Sequence, residues 1–251
     1  MRVRIDLLPR DGYAGESVVL IDVLKLSTVA PLLFDKGLER LVVCGSIRGA
    51  RQAAEGGRLL VGERGGVPPE GFNHASSPSL LQKYDFGGRQ AVLVSDNGPR
   101  ALPQVTGASL VLLGSLYNAR AVAQAVLDSG AERVSLVCCG HQGQEDLDDA
   151  MAAGFLAGEI GFLAREMGQL AGDVELEGAA RLAVGLLRAF PDPIEALWHS
   201  AAGRDLRRME LGEDLAVASA ISQSRHVPRL SGVEEGKYKP LYHFEALPLA
   251  G

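Results

Sequence analysis

The amino-acid sequence predicts an α/β protein: a mainly parallel sheet flanked by helices, followed by a helix-rich C-terminal part. Three observations carry that expectation. Short β-branched runs alternate with amphipathic segments through the first half of the chain. Those runs are apolar throughout, as in strands buried on both faces. After Gly140 the strand-like runs give way to helical periodicity.

The strand-like runs are Ser17–Asp22, Arg40–Cys44, Leu59–Gly62, Gln90–Ser95, Ser109–Gly114 and Arg133–Cys139. Helices are expected between them, near Thr28–Gly37, Ile47–Glu55, Ser79–Tyr84, Arg100–Val105 and Asn118–Ser129. Asp146–Leu170 reads as one long helix with Leu147, Met151, Phe155 and Phe162 among its apolar positions. Further helices are expected at Gly178–Ala189, Pro193–Ala202 and Glu213–Ser222. Tyr238–Phe244 reads as a last strand, placed at a sheet edge by Pro240, which cannot donate to a ladder. Residues 1–145 would form an α/β domain with functional loops at its strand ends, and residues 146–251 a helix-rich part with a final strand. The pattern leaves open whether these are two domains or one compact unit.

Composition narrows the function. The 251 residues carry 25 Lys plus Arg against 31 Asp plus Glu, a net charge of −6, which argues against a nucleic-acid partner. No run approaches the ~18–20 apolar residues of a membrane helix, and Asp6 falls where an export signal would be apolar. A cytoplasmic protein is expected. The three cysteines, Cys44, Cys138 and Cys139, suit a reducing compartment. No CxxC or paired Cys/His spacing suggests zinc. A homodimer is the prior expectation, because twofold assemblies are the commonest.

Polar or glycine-containing clusters follow almost every strand of the first half, and open α/β sheets bind ligands beyond the carboxyl ends of their strands. Asp22 is followed by Lys25, Ser27 and Thr28; Gly62-Glu63-Arg64-Gly65-Gly66 follows the next such strand. Then come Ser95-Asp96-Asn97-Gly98-Pro99-Arg100, Gly114-Ser115 with Asn118, and Gly140-His141-Gln142-Gly143. Glycine-rich turns expose backbone N–H groups that hold phosphate. Lys25, Arg64 and Arg100 supply positive charge, and Asp22, Glu63, Asp148 and Asp149 supply oxygen ligands of the kind magnesium prefers. Each residue also has a plainer reading. Asp22 would cap the next helix, and Glu145, Asp146, Asp148 and Asp149 would sit at a helix start as partners of its dipole.

At these clusters the sequence resembles the 2-phosphosulfolactate phosphatase family. The family's DVLR-A-[ST]-T segment reads Asp22-Val23-Leu24-Lys25-Leu26-Ser27-Thr28, and its GERGG turn is Gly62-Glu63-Arg64-Gly65-Gly66. The GF-x-x-x-NSP segment is similar to Gly71–Pro78, and the NG-T-RA segment to Asn97-Gly98-Pro99-Arg100-Ala101. The GS-x-x-NA-x-AV segment is similar to Gly114–Val122, and Leu147-Asp148-Asp149 stands for the family's LED. A late HS-x-x-G…LG…VP pattern is echoed by His199-Ser200, Gly203, Leu211-Gly212 and Val227-Pro228. The sequence departs from the family at Lys25 (Arg), Ser76 (Asn), Pro99 (Thr) and Asp148 (Glu).

The resemblance implies magnesium-dependent hydrolysis of (2R)-2-phospho-3-sulfolactate, a small phosphate- and sulfonate-bearing substrate, in a coenzyme M-type route. Catalysis would rest on Asp22, Glu63 and Asp149. Substrate would be held by Lys25, Ser27, Arg64, Asn97, Arg100, Asn118 and His141, and magnesium by Asp22, Glu63, Asp148 and Asp149. Water would attack phosphorus directly or after transfer to Asp22. The departures widen the expectation to another small anionic phosphate ester, or to a sulfonate- or phosphate-binding protein without turnover.

Overall fold

The structure is a computed structural model that describes residues 1–64, 67–168 and 174–247. The strands are β1 (Arg2–Asp6), β2 (Ser17–Ile21), β3 (Arg40–Cys44), β4 (Leu59–Gly62), β5 (Gln90–Val94), β6 (Leu110–Leu113), β7 (Arg133–Cys138), β8 (Glu175–Leu176), β9 (Val227–Glu234) and β10 (Leu241–Leu247). The helices of the first half are α1 (Leu26–Asp35), α2 (Ile47–Ala53), α3 (Pro78–Leu81), α4 (Asn97–Val105) and α5 (Ala119–Asp128). Then come α6 (Leu147–Glu166), α7 (Gly178–Ala189), α8 (Pro193–His199), α9 (Ala201–Arg208) and α10 (Glu213–Ser219).

The strands form one sheet in the order β4-β5-β3-β10-β9-β6-β2-β7-β1-β8. It contains two parallel blocks, β4-β5-β3 and β6-β2-β7-β1-β8. The antiparallel pair β9–β10 joins them and is itself antiparallel to β6 and β3. Three antiparallel junctions leave the two blocks formally opposed. In a flat sheet the C-terminal ends of β5 and β2, five positions apart, would lie about 24 Å apart sideways and on opposite rims.

They are instead in contact, because the sheet twists and curls. A twist of about 20–25° per strand accumulates to roughly 100–125° over five steps, which swings opposed strands towards a common direction. One core cluster accordingly takes Val18 and Leu20 of β2 together with Val43 of β3, Leu93 of β5 and Phe244 of β10. Leu33 of α1 and Leu102 of α4 belong to the same cluster. The other face of the β2–β7–β1 block is covered by α5 and α6, through residues such as Val122 and Leu156. α6 meets α7 closely at Gly154, where an added Cβ would strike the Ala183 carbonyl.

Two expectations are corrected. The last strand begins after Pro240 and is flanked on both sides by β3 and β9, so it is not at an edge. Pro240 lies just before the ladder, where its missing N–H costs nothing. The helix expected over Pro193–Ala202 divides at Ser200, whose extended backbone ends α8 and whose Oγ accepts the Gly203 N–H at the start of α9. β1, β8 and β9 were not anticipated by the periodicity. Gln169 and Leu170, the end of the expected long helix, lie outside the described residues.

Candidate active site

β2 is buried at every position, as a strand covered on both faces must be, and it delivers Asp22 into the interior. Asp22 Oδ2 accepts the Gly98 N–H at 3.0 Å and lies 3.5 Å from Ser95 Oγ. The Asp22 N–H donates to Ser27 Oγ at 3.0 Å. Burial pushes the Asp22 carboxyl up to about 6, against backbone N–H bonds from Gly98, Leu26 and Lys25 that lower it. The N-cap position of α1 falls at Lys25, whose side chain makes no cap bond; the Asp22 carboxyl meets the N–H groups of Lys25 and Leu26 at that helix start instead.

Asp148 and Asp149 stand in the first turn of α6, as the helix-dipole reading anticipates, but both are buried. Asp149 bridges two strand ends: Oδ1 accepts the Val23 N–H and Oδ2 the Gly140 N–H, each at 2.9 Å. Burial, and then the charge of Asp22, push its carboxyl up to about 8. Asp148 is raised well above the ordinary range by burial and by Asp149, and its Oδ1 has no hydrogen bond. Asp146 is the α6 N-cap and also accepts the N–H groups of Ala201 and Ala202, which fixes the start of α9 against the start of α6.

A cavity of about 520 Å³ lies near these strand ends; its lining includes Leu24, Ser95 and His141 but none of these aspartates. Lys25, Glu63, Asn97, Arg100 and His141 of the expected site residues line it, with Ser95 at the edge of Asp22. Lys25 Nζ is 2.7 Å from Glu63 Oε2. His141 Nε2 is 3.0 Å from Asp205 Oδ2, and the Gln142 N–H reaches Asn97 Oδ1 at 3.4 Å. The C-terminal ends of β2, β4, β5 and β7 thus meet around one space, closed on one side by Asp205, Leu206 and Met209 at α9.

Other expected residues lie elsewhere. Ser27 is wholly buried and engaged with the Asp22 backbone. Arg64 is half-exposed and pairs with Asp96 at 3.6 Å, outside the cavity lining. Asn118 is buried with its amide committed to protein atoms: it accepts the Ser115 N–H and donates to the carbonyls of Leu113 and His226. That fixes the turn after β6 to the start of β9, a structural role in place of the expected substrate contact. Gly65 and Gly66 lie outside the described residues. Burial raises the thiols of Cys138 and Cys139 well above the ordinary range, which leaves both protonated and inert.

Sequence reading missed Asp205 and Asp214. Asp205 sits among Arg204, Arg207 and Arg208 and reads as a solvated helix face. Asp214 follows Glu213 at a helix start and reads as a dipole partner. Only the folding of α9 and α10 onto the strand ends distinguishes them.

The donor atoms suit a hard cation. The buried carboxylates offer only oxygen, and burial, with the charge of neighbouring aspartates for Asp148 and Asp149, raises them in a way a cation would relieve. Among the described residues, no group of three or more His, Cys, Asp or Glu side chains is arranged to hold a metal ion. That is compatible with magnesium, which uses one or two protein carboxylates and fills its shell with water and phosphate.

A curled, mostly parallel sheet with cationic and acidic side chains converging at its strand ends defines an α/β protein with a polar strand-end cavity. The family model for 2-phosphosulpholactate phosphatase matches residues 3–232. The chain belongs to that family. It is 36% identical over 234 residues to a protein of Thermus thermophilus named "Probable 2-phosphosulfolactate phosphatase", covering 92% of this chain and 95% of that one. A protein of the same name from Deinococcus radiodurans is 35% identical over 233 residues, 92% of this chain and 93% of its own. A third, from a Synechococcus strain, is 32% identical over 230 residues, 89% and 92% respectively.

Proposed function

We propose that the chain is a magnesium-dependent phosphatase that hydrolyses 2-phospho-3-sulfolactate to 3-sulfolactate and phosphate. The observation that carries the reading is the convergence of Lys25, Arg100 and His141 on one cavity, at strand ends that also hold buried Asp22 and Asp149. Lys25 and Arg100 would neutralise the phosphate and the substrate's other anionic groups, Arg100 by a two-pronged grip and Lys25 as a point charge. Asn97 and the His141–Asp205 pair would orient the rest of the molecule.

Magnesium would be held by carboxylates drawn from Asp22, Glu63, Asp148 and Asp149; one Asp148 oxygen is buried without a hydrogen-bond partner that a cation would replace. When bound it supplies charge neutralisation at the phosphate oxygens. Asp22 Oδ2 is engaged by the Gly98 N–H and does not line the cavity, which favours direct attack by water over transfer to that carboxylate.

No helix among the described residues is long and apolar enough to cross a membrane. The reading places the protein in the cytoplasm, where its three free, buried cysteines would stay reduced. Size-exclusion chromatography with light scattering tests the homodimer expected from symmetry alone.

The deciding experiment is phosphate release from a panel of small phosphate esters, with magnesium and with chelator. Magnesium-dependent turnover led by 2-phospho-3-sulfolactate supports the whole reading. Turnover led by another ester keeps the phosphatase and discards the substrate. A protein that these ligands stabilise thermally but that releases no phosphate is a binding protein.

A further inference from the structure

Lys25 lines the cavity with only 8% of its surface exposed, and it stands between two carboxylates. On the more open side is Glu63, with Oε2 at 2.7 Å from Nζ and its side chain 20% exposed. On the closed side is Asp214 of α10, fully buried, with Oδ2 at 3.5 Å. The two partners are held very differently. Asp214 Oδ1 accepts from Ser77 Oγ at 2.6 Å, Ser79 Oγ at 2.7 Å and the Ser79 N–H at 3.1 Å. Asp214 Oδ2 has no hydrogen bond and faces the lysine alone.

Resting on the phosphatase reading, we infer that Asp214 is a positioning residue for the reaction: it holds the Lys25 ammonium at the cavity wall while the substrate's phosphate takes the place of Glu63. A lysine is a point charge on a flexible four-carbon stem and has no preferred direction of its own, so its aim must come from its surroundings. An incoming phosphate oxygen competes with Glu63 for Nζ, and Glu63 can turn towards water. Asp214 cannot leave, because three donors from the Ser77–Ser79 segment fix it. The α3–α10 contact thereby reaches into the site through one carboxylate. A purely structural Asp214 would tie α10 to α3 and leave substrate affinity untouched.

The test compares wild-type protein with Asp214→Asn, Lys25→Met and the double variant. Asp214→Asn keeps the side-chain volume and an acceptor for the serines. The readouts are KM and kcat for the best ester, and the Kd of inorganic phosphate by calorimetry. Asp214→Asn is expected to raise KM and the phosphate Kd by about 10–30-fold with kcat within about 3-fold, the scale of a lost close charge contact. The double variant is expected to be no worse than Lys25→Met, since both would remove one interaction. Unchanged KM and Kd, or effects that multiply, would overturn the inference while the phosphatase reading stands. Should Asp214→Asn fail to fold, Ser79→Ala keeps the charge but frees one restraint, and a smaller rise in the same constants is expected; no rise overturns the inference. If wild-type protein hydrolyses no ester, the phosphatase reading fails and the phosphate Kd alone decides for Asp214. Wild-type protein that binds no phosphate overturns both.

Discussion

The Asp22 carboxylate and the Gly98 N–H meet at 3.0 Å, joining the end of β2 to the start of α4 across a sheet in which their strands lie five positions apart. This contact records the curl of the sheet and ties the two strand ends behind the cavity-lining residues Ser95 and Asn97. It depends on the absence of a side chain at position 98, because a Cβ there would strike Leu26 Cδ2 and stand 3.3 Å from Asp22 Oδ2.

Gly98→Ala should therefore be costly although alanine is the better helix former. Leu26 is buried and has little room to move. Overpacking of this kind costs about 1–3 kcal/mol, while the backbone N–H that donates to Asp22 is kept. Urea unfolding should show a midpoint shift of that size, with phosphate release falling more than stability alone explains. Wild-type stability in Gly98→Ala would mean the contact is looser than the geometry describes.

Asp149→Ala strands two buried donors at once, the N–H groups of Val23 and Gly140. Each unsatisfied donor costs about 1–3 kcal/mol, so a loss of about 2–6 kcal/mol is expected in chemical denaturation. Asp149→Asn keeps one acceptor oxygen and leaves no cavity, so it should fold better than Asp149→Ala. The reverse order would exclude Asp149 as the tie between β2 and β7.

The strands β2 to β7 were legible because each is an apolar run that ends in a polar cluster; β3 and β4 fall at the read boundaries. β1 was not, since its Arg-Val-Arg-Ile-Asp alternation is that of a strand with one face against the core and the other carrying charge, and it is only five residues long. β9 contains Pro228 and Gly232, which mark breaks in a sequence, and it becomes a strand only by pairing with β10 over a long register. The lining of the candidate cavity was legible where it hangs directly from a strand end, as at Lys25 and His141. The surroundings were illegible where a distant helix folds back, as at Asp205 and Asp214. Asn118 belongs to a motif that reads as functional, yet its amide is spent on three backbone partners.

Asp205→Ala should separate affinity from stability. Asp205 is about a third exposed and lies against His141 at the cavity rim. An exposed pair of this kind contributes at most about 1 kcal/mol to folding, so the denaturation midpoint should barely move. Freed from Asp205, His141 no longer has a fixed ring, and KM for the best ester should rise about 10-fold, a loss of about 1.4 kcal/mol of binding. Equal KM in the two proteins would remove the pair from substrate recognition.

The buried aspartates make stability depend on pH in a direction opposite to that of salt-bridged carboxylates. Asp22 and Asp149 shift from 3.8 to about 6 and about 8, burial being the first cause in both. Between those values the folded chain keeps protons that the unfolded chain has released, so stability falls as pH rises. The loss begins near pH 4, runs through about 6 for Asp22 and ends above about 8 for Asp149, with Asp148 acting in the same direction. In chelator, the thermal midpoint should drop by about 10–20 °C between pH 5 and pH 8.5. Magnesium binds the ionised carboxylates, so it should recover more of the midpoint at the alkaline end than at the acid end. Asp149→Asn should flatten the profile in chelator and weaken the magnesium response. A midpoint that rises with pH in chelator would show that these carboxylates are paired with cations in the folded protein, and magnesium stabilisation equal at both ends would remove them as its ligands.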